Sequence, residues 1–85
     1  MKHILIVDDN KMNLVSAKNA LAEDYKVTAV TSGMQALKFL ENNLPDLILL
    51  DINMPEMDGF EVMDKISARE EWSNIPIVFL TADTE

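Results

Sequence analysis

The sequence predicts a doubly wound α/β domain, in which helices cover both faces of a parallel sheet. Three observations lead to this prediction. Short and nearly unbroken apolar runs, such as residues 4–7, 47–50 and 77–80, are typical of strands buried on both faces. Segments with apolar residues at helical spacing separate these runs. The resulting order, βαβαβαβ, requires crossover helices between parallel strands.

The first three predicted elements are a strand, a helix and a second strand. We expect strand one over residues 2–7, helix one over 11–23 and strand two over 26–30. Asp24 follows helix one and is expected to end it. The apolar face of that helix consists of Leu14, Ala17 and Leu21.

Helix two is expected to follow a turn at residues 31–33. Ser32 and Gln35 have the spacing of a capping box, which marks a helix start. Pro45 cannot continue a helix, so this helix ends before it. Its apolar face consists of Ala36, Leu37 and Leu40.

The second half of the chain predicts one more strand–helix–strand unit. Strand three covers residues 46–51, and a loop shaped by Pro55 and Gly59 follows it. Asp58 is placed to cap helix three, over residues 60–69. Strand four is expected over residues 76–80.

The composition indicates one globular domain of 85 residues. Apolar residues make up 48% of the chain, which is too many for a disordered protein. The net charge of −8 argues against direct binding to nucleic acid or to an anionic membrane. The apolar runs are shorter than the ~20 residues of a membrane helix, and no secretory signal is apparent. The chain has no cysteine, which excludes disulfides and is compatible with a cytoplasmic location.

Three acidic residues follow two of the predicted buried strands. Asp8 and Asp9 come after strand one, and Asp51 ends strand three. Because open α/β sheets place their sites at the carboxyl ends of parallel strands, we expect these carboxylates to converge. Their mutual repulsion favours a bound cation or a proton. Oxygen ligands without cysteine suit Mg²⁺ or Mn²⁺; the alternative is that Asp8 and Asp9 merely cap helix one.

The residues leave two chemical roles open for Asp51. It is either a plain metal ligand or a nucleophile that forms an aspartyl-phosphate. Thr81, at the end of strand four, offers a hydroxyl donor at the same edge of the sheet. The alternative for Thr81 is an ordinary residue at a strand end.

Residues 6–9, 45–59 and 76–82 together resemble the receiver domain of two-component response regulators. The resemblance covers the whole chain, residues 1–85. It is carried by the acidic pair at residues 8–9, by Asp51 after an apolar strand, by the sequence Met-Pro-Glu-Met-Asp-Gly at residues 54–59 and by Thr-Ala at residues 81–82. It implies a flavodoxin-like fold with the strand order 2-1-3-4-5.

The resemblance also implies a function. A sensor histidine kinase or a phosphotransfer protein would transfer a phosphoryl group to Asp51. Asp8, Asp9, Asp51 and the backbone carbonyl of Asn53 would bind Mg²⁺, and Thr81 would donate a hydrogen bond to the phosphoryl group and move on activation. Such a domain is a cytoplasmic signalling domain and not an enzyme.

The sequence departs from the family in its length. Receivers continue through a further helix, strand and helix, and that strand carries a lysine and an aromatic switch residue. The 85 residues contain no counterpart of these, so we expect the first two-thirds of a receiver, with strand order 2-1-3-4.

Three hypotheses about function remain open from the sequence. The first is a receiver that keeps most of its phosphoacceptor site. The second is a non-catalytic interaction module that pairs with another chain, as a homo-oligomer or a domain swap, through the exposed edge of strand four. The third is a phosphatase of the dehalogenase type, which is weaker because it needs a second aspartate where Asn53 stands.

Overall fold

The apolar runs form one parallel sheet. A computed structural model describes residues 1–80 of the chain. Its elements are β1 (His3–Val7), α1 (Lys11–Leu21), β2 (Lys26–Val30), α2 (Gly33–Leu40), β3 (Leu47–Asp51), α3 (Gly59–Ser67) and β4 (Ile77–Leu80). The strands lie in the order β2-β1-β3-β4, and all neighbours are parallel. The predicted fold class, element order and strand order are confirmed.

The strand register places the acidic residues at one edge of the sheet. Val7 of β1 pairs with Leu50 of β3, and Asp51 pairs with Leu80 of β4. Asp8 follows Val7 directly, while Asp51 is the last residue of β3. The carboxyl ends of the two central strands therefore meet where these carboxylates emerge.

Side chains of the central strands alternate between two apolar layers. Leu5, Val7, Ile48 and Leu50 expose none of their surface and pack with residues of α2 and α3. Ile4 and Ile6 point to the other face, where they pack with Leu14 of α1. Each fully buried side chain of this size contributes about 1.5–3 kcal/mol to folding. The two central strands, whose side chains are buried on both faces, therefore end at the position of the acidic residues.

Two helices end earlier than the sequence predicts. The first ends at Leu21 and not at residue 23, because the N–H groups of Asp24 and Tyr25 both donate to the carbonyl of Leu21 and close a turn. The third covers Gly59–Ser67, and the N–H of Arg69 turns back to the carbonyl of Ile66. No helix within residues 1–80 is long and apolar enough to cross a membrane.

The last strand begins one residue later than predicted, at Ile77. Pro76 has no N–H to donate to the sheet. Its carbonyl accepts a hydrogen bond from the backbone N–H of Ile48 at 2.9 Å. Pro76 therefore leads into β4 without being part of the strand.

Helix α3 begins with a complete capping box. The Asp58 carboxylate accepts from the N–H of Glu61 at 2.9 Å, and the Glu61 carboxylate accepts from the N–H of Asp58 at 3.0 Å. The box satisfies N–H groups that have no partner within the helix. It fixes the start of α3 at the end of the loop that leaves Asp51.

The start of α2 has the same spacing but a different pattern. Ser32 accepts from the N–H of Gln35 at 3.1 Å, as a cap does. The side-chain oxygen of Gln35 accepts from the N–H and the hydroxyl of Thr31, not from the N–H of Ser32. The return bond is therefore displaced by one residue, and it stabilises the turn between β2 and α2.

Candidate functional site

Three carboxylates meet at the carboxyl ends of β1 and β3. One oxygen of each of Asp8, Asp9 and Asp51 lies within 4.8 Å of the other two. Asp8 and Asp51 are each 4% exposed, whereas Asp9 is exposed to solvent. The structure thus brings together the three acidic residues that the sequence singled out, with two of them buried.

Asp51 lies in surroundings that disfavour its charge. Burial raises the pKa of Asp51 above its ordinary value, and the neighbouring carboxylates of Asp8 and Asp9 raise it further. One bond opposes this shift, because the backbone N–H of Asn53 donates to Oδ1 at 3.3 Å. Positive charge placed at the cluster would therefore favour the charged form of Asp51.

Asp8 is held by residues at the start of α1. Its Oδ1 accepts from the backbone N–H of Asn10 at 2.9 Å, and its Oδ2 accepts from the side-chain Nδ2 of Asn13 at 3.2 Å. Its own N–H donates to the carbonyl of Val30 in β2 at 3.2 Å. These bonds fix both the backbone and the carboxylate of Asp8.

The hypothesis that Asp8 and Asp9 merely cap helix one is wrong. The N-cap is Asn10, whose side chain accepts from the N–H groups of Met12 and Asn13. Asn10 and Asn13 are not among the site residues predicted from the sequence. The available signal was an asparagine directly before the helix, a preferred capping position, with a second asparagine one turn later.

The loop after β3 approaches the site closely. The N–H of Gly59 donates to the carbonyl of Ile52 at 2.8 Å. A Cβ atom on Gly59 would lie 2.5 Å from the backbone oxygen of Asp51, which is inside van der Waals contact. Position 59 therefore requires glycine because of this close approach, and its φ is not positive.

Glu56 has the positive φ in this loop, at 69°. The N–H of Met57 donates to the carbonyl of Pro55 at 2.7 Å across it, which forms a γ-turn. The neighbouring Met54 is buried in the main core. The core thus holds one side of the turn before the loop reaches α3.

Two of the predicted site features remain predictions. Thr81 lies outside the described residues, and β4 is described as far as Leu80, which pairs with Asp51. The backbone of Asn53 contacts Asp51 through its N–H, and its carbonyl is the group expected to bind a metal.

The donor set fits a hard divalent cation. All three side chains offer oxygen, which Mg²⁺ and Mn²⁺ prefer over sulfur or nitrogen. A cation would also offset the burial and the carboxylate repulsion that together raise the pKa of Asp51. Asp9 is exposed, so solvent reaches the cluster from its side.

Comparison with known proteins identifies the family. The family model described as the response regulator receiver domain matches residues 4–85. The chain belongs to this family. Receiver domains are signalling domains of phosphorelays, they interact with histidine kinases and phosphotransfer proteins, and they bind Mg²⁺ or Mn²⁺ in an acidic pocket.

Solved receivers share the fold of this receiver. A response regulator receiver protein from Methanoculleus marisnigri superposes with a TM-score of 0.94 at 35% identity, over 100% of this chain and 70% of that one. The receiver domain of a sensor histidine kinase from Pseudomonas aeruginosa gives a TM-score of 0.90 at 36% identity. The match covers 96% of this chain and 68% of that one, which has a magnesium ion in its active site cleft. The flavodoxin-like receiver fold is therefore confirmed.

A curated relative is much longer than this receiver. A probable cyclic di-GMP phosphodiesterase from Vibrio cholerae is 45% identical over 78 residues, which is 92% of this chain. The chain spans 18% of that relative's length. The match is thus to one part of a larger protein, and the activity in its name belongs to that protein.

Proposed function

We propose that this receiver accepts a phosphoryl group on Asp51 from a sensor histidine kinase or a phosphotransfer protein, with Mg²⁺ or Mn²⁺ bound at Asp8, Asp9 and Asp51. The observation that carries the proposal is the buried carboxylate of Asp51 at the end of β3, within 4.8 Å of two further carboxylates. The backbone carbonyl of Asn53 would complete the protein ligands. The Thr81 hydroxyl would donate a hydrogen bond to the phosphoryl group.

The hydrogen bonds distinguish Asp51 from Asp8 as the nucleophile. Both oxygens of Asp8 accept a hydrogen bond from the start of α1. Among residues 1–80, Asp51 accepts one long bond, on Oδ1, from Asn53. None of these residues donates to its other oxygen, which would be the one that forms the bond to phosphorus.

The proposed reaction needs no general acid or base from this chain. An oxygen of ionised Asp51 forms a bond to phosphorus while the bond from phosphorus to the donor's histidine nitrogen breaks, and the nitrogen leaves with that electron pair. A bound Mg²⁺ supplies positive charge that favours the ionised carboxylate and offsets charge on the phosphoryl oxygens. The chain itself positions Asp51, because β3 is fixed on both faces by the core.

The proposed role is signalling and not turnover of a substrate. Phosphorylation would change the charge at the cluster of Asp8, Asp9 and Asp51, and a partner protein would bind differently as a result. The cytoplasmic location stays a prediction. The donor of the phosphoryl group would be a phosphohistidine of a second protein.

Reaction with a small phosphodonor tests this function. The chain is incubated with acetyl phosphate and Mg²⁺, or with acetyl phosphate and excess EDTA, and the phosphorylated fraction is followed by intact mass. We expect phosphorylation with Mg²⁺ and little with EDTA. The substitution Asp51→Asn should abolish it, whereas Asp64→Asn, on the exposed side of α3, should not. Equal phosphorylation of the Asp51→Asn variant would refute the proposal.

A further inference from the structure

Asp8 is held at the cluster of Asp8, Asp9 and Asp51, and Asn13 supplies one of the two hydrogen bonds that its carboxylate accepts from residues 1–80. The Asn13 amide donates from Nδ2 to Oδ2 of Asp8 at 3.2 Å. The other bond, to Oδ1, comes from the backbone of Asn10 and is present whatever side chain stands at that position. Asn13 is therefore the side chain that controls the orientation of the Asp8 carboxylate.

Asn13 is itself fixed by the first turn of α1. Its backbone N–H donates to the side-chain oxygen of the N-cap Asn10 at 3.2 Å. Its side chain reaches back over the start of the helix towards β1, the direction in which helical side chains point. A carboxylate only accepts hydrogen bonds, so the nitrogen of the Asn13 amide must face Asp8. Asp8, Asn10 and Asn13 thus form a closed network.

We propose that Asn13 is a positioning residue that orients Asp8 and thereby sets the affinity of the acidic cluster for a divalent cation. The inference rests on the metal site of the proposed function. Asp8 is 4% exposed although Asn13 itself is exposed, so the amide of Asn13 holds a nearly buried carboxylate from the solvent side. A buried oxygen that loses its donor is costly to leave unsatisfied. Partners that orient metal-binding carboxylates typically change metal affinity 10–100-fold when they are removed, by the general rule for such contacts.

Calorimetric titration with Mg²⁺ alone tests the inference. The substitution Asn13→Leu removes the amide and keeps a similar size, and we expect the dissociation constant to rise about tenfold or more. Asn19→Leu is the matched control, since Asn19 is exposed in the same helix. It should leave the dissociation constant unchanged. An Asn13→Leu protein that binds Mg²⁺ as tightly as the wild type overturns the inference, as does a wild type that binds no Mg²⁺.

A double-mutant cycle with Asp8→Ala separates positioning from a general effect on α1. When the acceptor is absent, Asn13→Leu should no longer change the affinity for Mg²⁺. The same cycle is measured without metal, by chemical unfolding in EDTA. There, Asn13→Leu should destabilise the protein only when Asp8 is present. A full Asn13→Leu effect in the Asp8→Ala background, in either measurement, shows a structural role and overturns the inference.

The outcomes distinguish this inference from the proposed function. If Asn13→Leu weakens Mg²⁺ binding but the wild type does not become phosphorylated on Asp51, the inference holds and the proposed function fails. If Asp51 becomes phosphorylated and Asn13→Leu binds Mg²⁺ normally, the function holds and the inference fails.

Discussion

At the scale of single residues, the charge of Asp51 links stability to function. Its pKa is raised in the folded chain, first by burial and then by the charges of Asp8 and Asp9. In the unfolded chain it returns to the ordinary value near 3.8. Because the folded pKa is the higher one, protonated Asp51 contributes stability that is fully present below the unfolded pKa and is lost as pH rises through the folded pKa.

We expect Asp51→Asn to stabilise the metal-free protein at about pH 7, since it removes a charge from a buried acidic cluster. The gain should be about 1–3 kcal/mol, the usual size of a single-residue effect. It should shrink as pH falls through the raised pKa of folded Asp51, because the wild-type side chain then gains a proton. Urea unfolding of both proteins in EDTA across this range measures the difference. A difference that is constant with pH would rule out the charge of Asp51 as its cause.

Added Mg²⁺ supplies a control for the same experiment. A cation that binds the folded cluster should stabilise the wild type by mass action. It should stabilise Asp51→Asn less, because one ligand has lost its charge. At about pH 7, the difference in the free energy of unfolding between the two proteins should therefore become smaller when Mg²⁺ is added.

Gly59 gives a second prediction at the residue scale. A Cβ at this position would lie 2.5 Å from the Asp51 carbonyl oxygen and 2.8 Å from the Cα of Ile52. These are backbone atoms, which cannot rotate away. Gly59→Ala should therefore destabilise the chain by about 2–3 kcal/mol, and it should weaken Mg²⁺ binding because β3 must shift. Thermal unfolding and calorimetry measure the two effects.

Gly33→Ala is the matched control. The nearest atoms to its Cβ would be side-chain atoms, Cγ2 of Val62 at 2.6 Å and Sδ of Met57 at 2.9 Å. Side chains relax more readily than backbone, so this variant should lose less stability and keep its Mg²⁺ affinity. If Gly33→Ala reduced Mg²⁺ binding as much as Gly59→Ala, close approach to Asp51 would not be the reason for glycine at position 59.

The sequence predicted the acidic residues of the site but not what holds them. Asp8 and Asp51 could be selected because each directly follows an apolar strand, and parallel strands end at one edge. The bond from Asn13 to Asp8 depends on a side-chain rotamer and on the angle between α1 and β1. Neither is encoded in spacing alone. The positive φ of Glu56 was also missed, because this residue type does not favour it.

At the scale of secondary-structure elements, apolar patterns predicted each strand and helix that residues 1–80 form. Element ends were less accurate, since local hydrogen bonds determine them. The Leu21 carbonyl accepts two N–H groups and closes α1 early, and that competition has no signature in the apolar pattern. Asp58 was predicted correctly as a cap because its position before α3 is typical of capping residues.

The capping box of α3 predicts a measurable contribution to stability. Asp58→Ala removes the acceptor for the Glu61 N–H and should cost about 1 kcal/mol. Asp64→Ala is the control. It also replaces an aspartate by alanine, and Asp64 is exposed in the same helix. It should change the free energy of unfolding by less than about 0.5 kcal/mol. Equal losses in the two variants would show that the cap contributes nothing specific.

At the scale of the whole molecule, the sheet has an open side within residues 1–80. β4 pairs with β3 alone, and its sequence, Ile-Val-Phe-Leu, has no charge to discourage pairing. Val78 is 48% exposed. On the face covered by α1, a groove of about 540 Å³ is lined by Ile4, Leu47 and Leu49. These surfaces favour contact with another polypeptide.

We therefore expect the 85-residue chain to self-associate through β4 when it is studied alone. Val78→Lys places a charge on the edge strand and should shift the protein towards monomer. Val15→Lys, at an exposed position of α1, makes the same change elsewhere and should have little effect. Added salt should strengthen association, because it screens the net charge of −8. Light scattering that shows a monomer at all concentrations and salt levels would contradict this expectation.

The receiver family could be predicted from the sequence, because the motifs that mark it follow the predicted strands at the family's spacing. The match over residues 4–85 confirms it. Contacts with other polypeptides could not be predicted in the same way, since they depend on the shape and charge of a second surface. The position of strand four at the side of the sheet was predicted from the family's strand order, and the observed order confirms it for residues 1–80.

The most direct test of the central claim is chemical identification of the phosphorylated residue. The chain is treated with acetyl phosphate and Mg²⁺ and then with borohydride, which reduces an aspartyl-phosphate to homoserine, and the product is mapped by peptide mass spectrometry. We predict homoserine at position 51 and at no other position, and none when Mg²⁺ is replaced by EDTA. Homoserine at position 8 or 9, or its absence from position 51 in a folded and Mg²⁺-bound protein, would contradict the account.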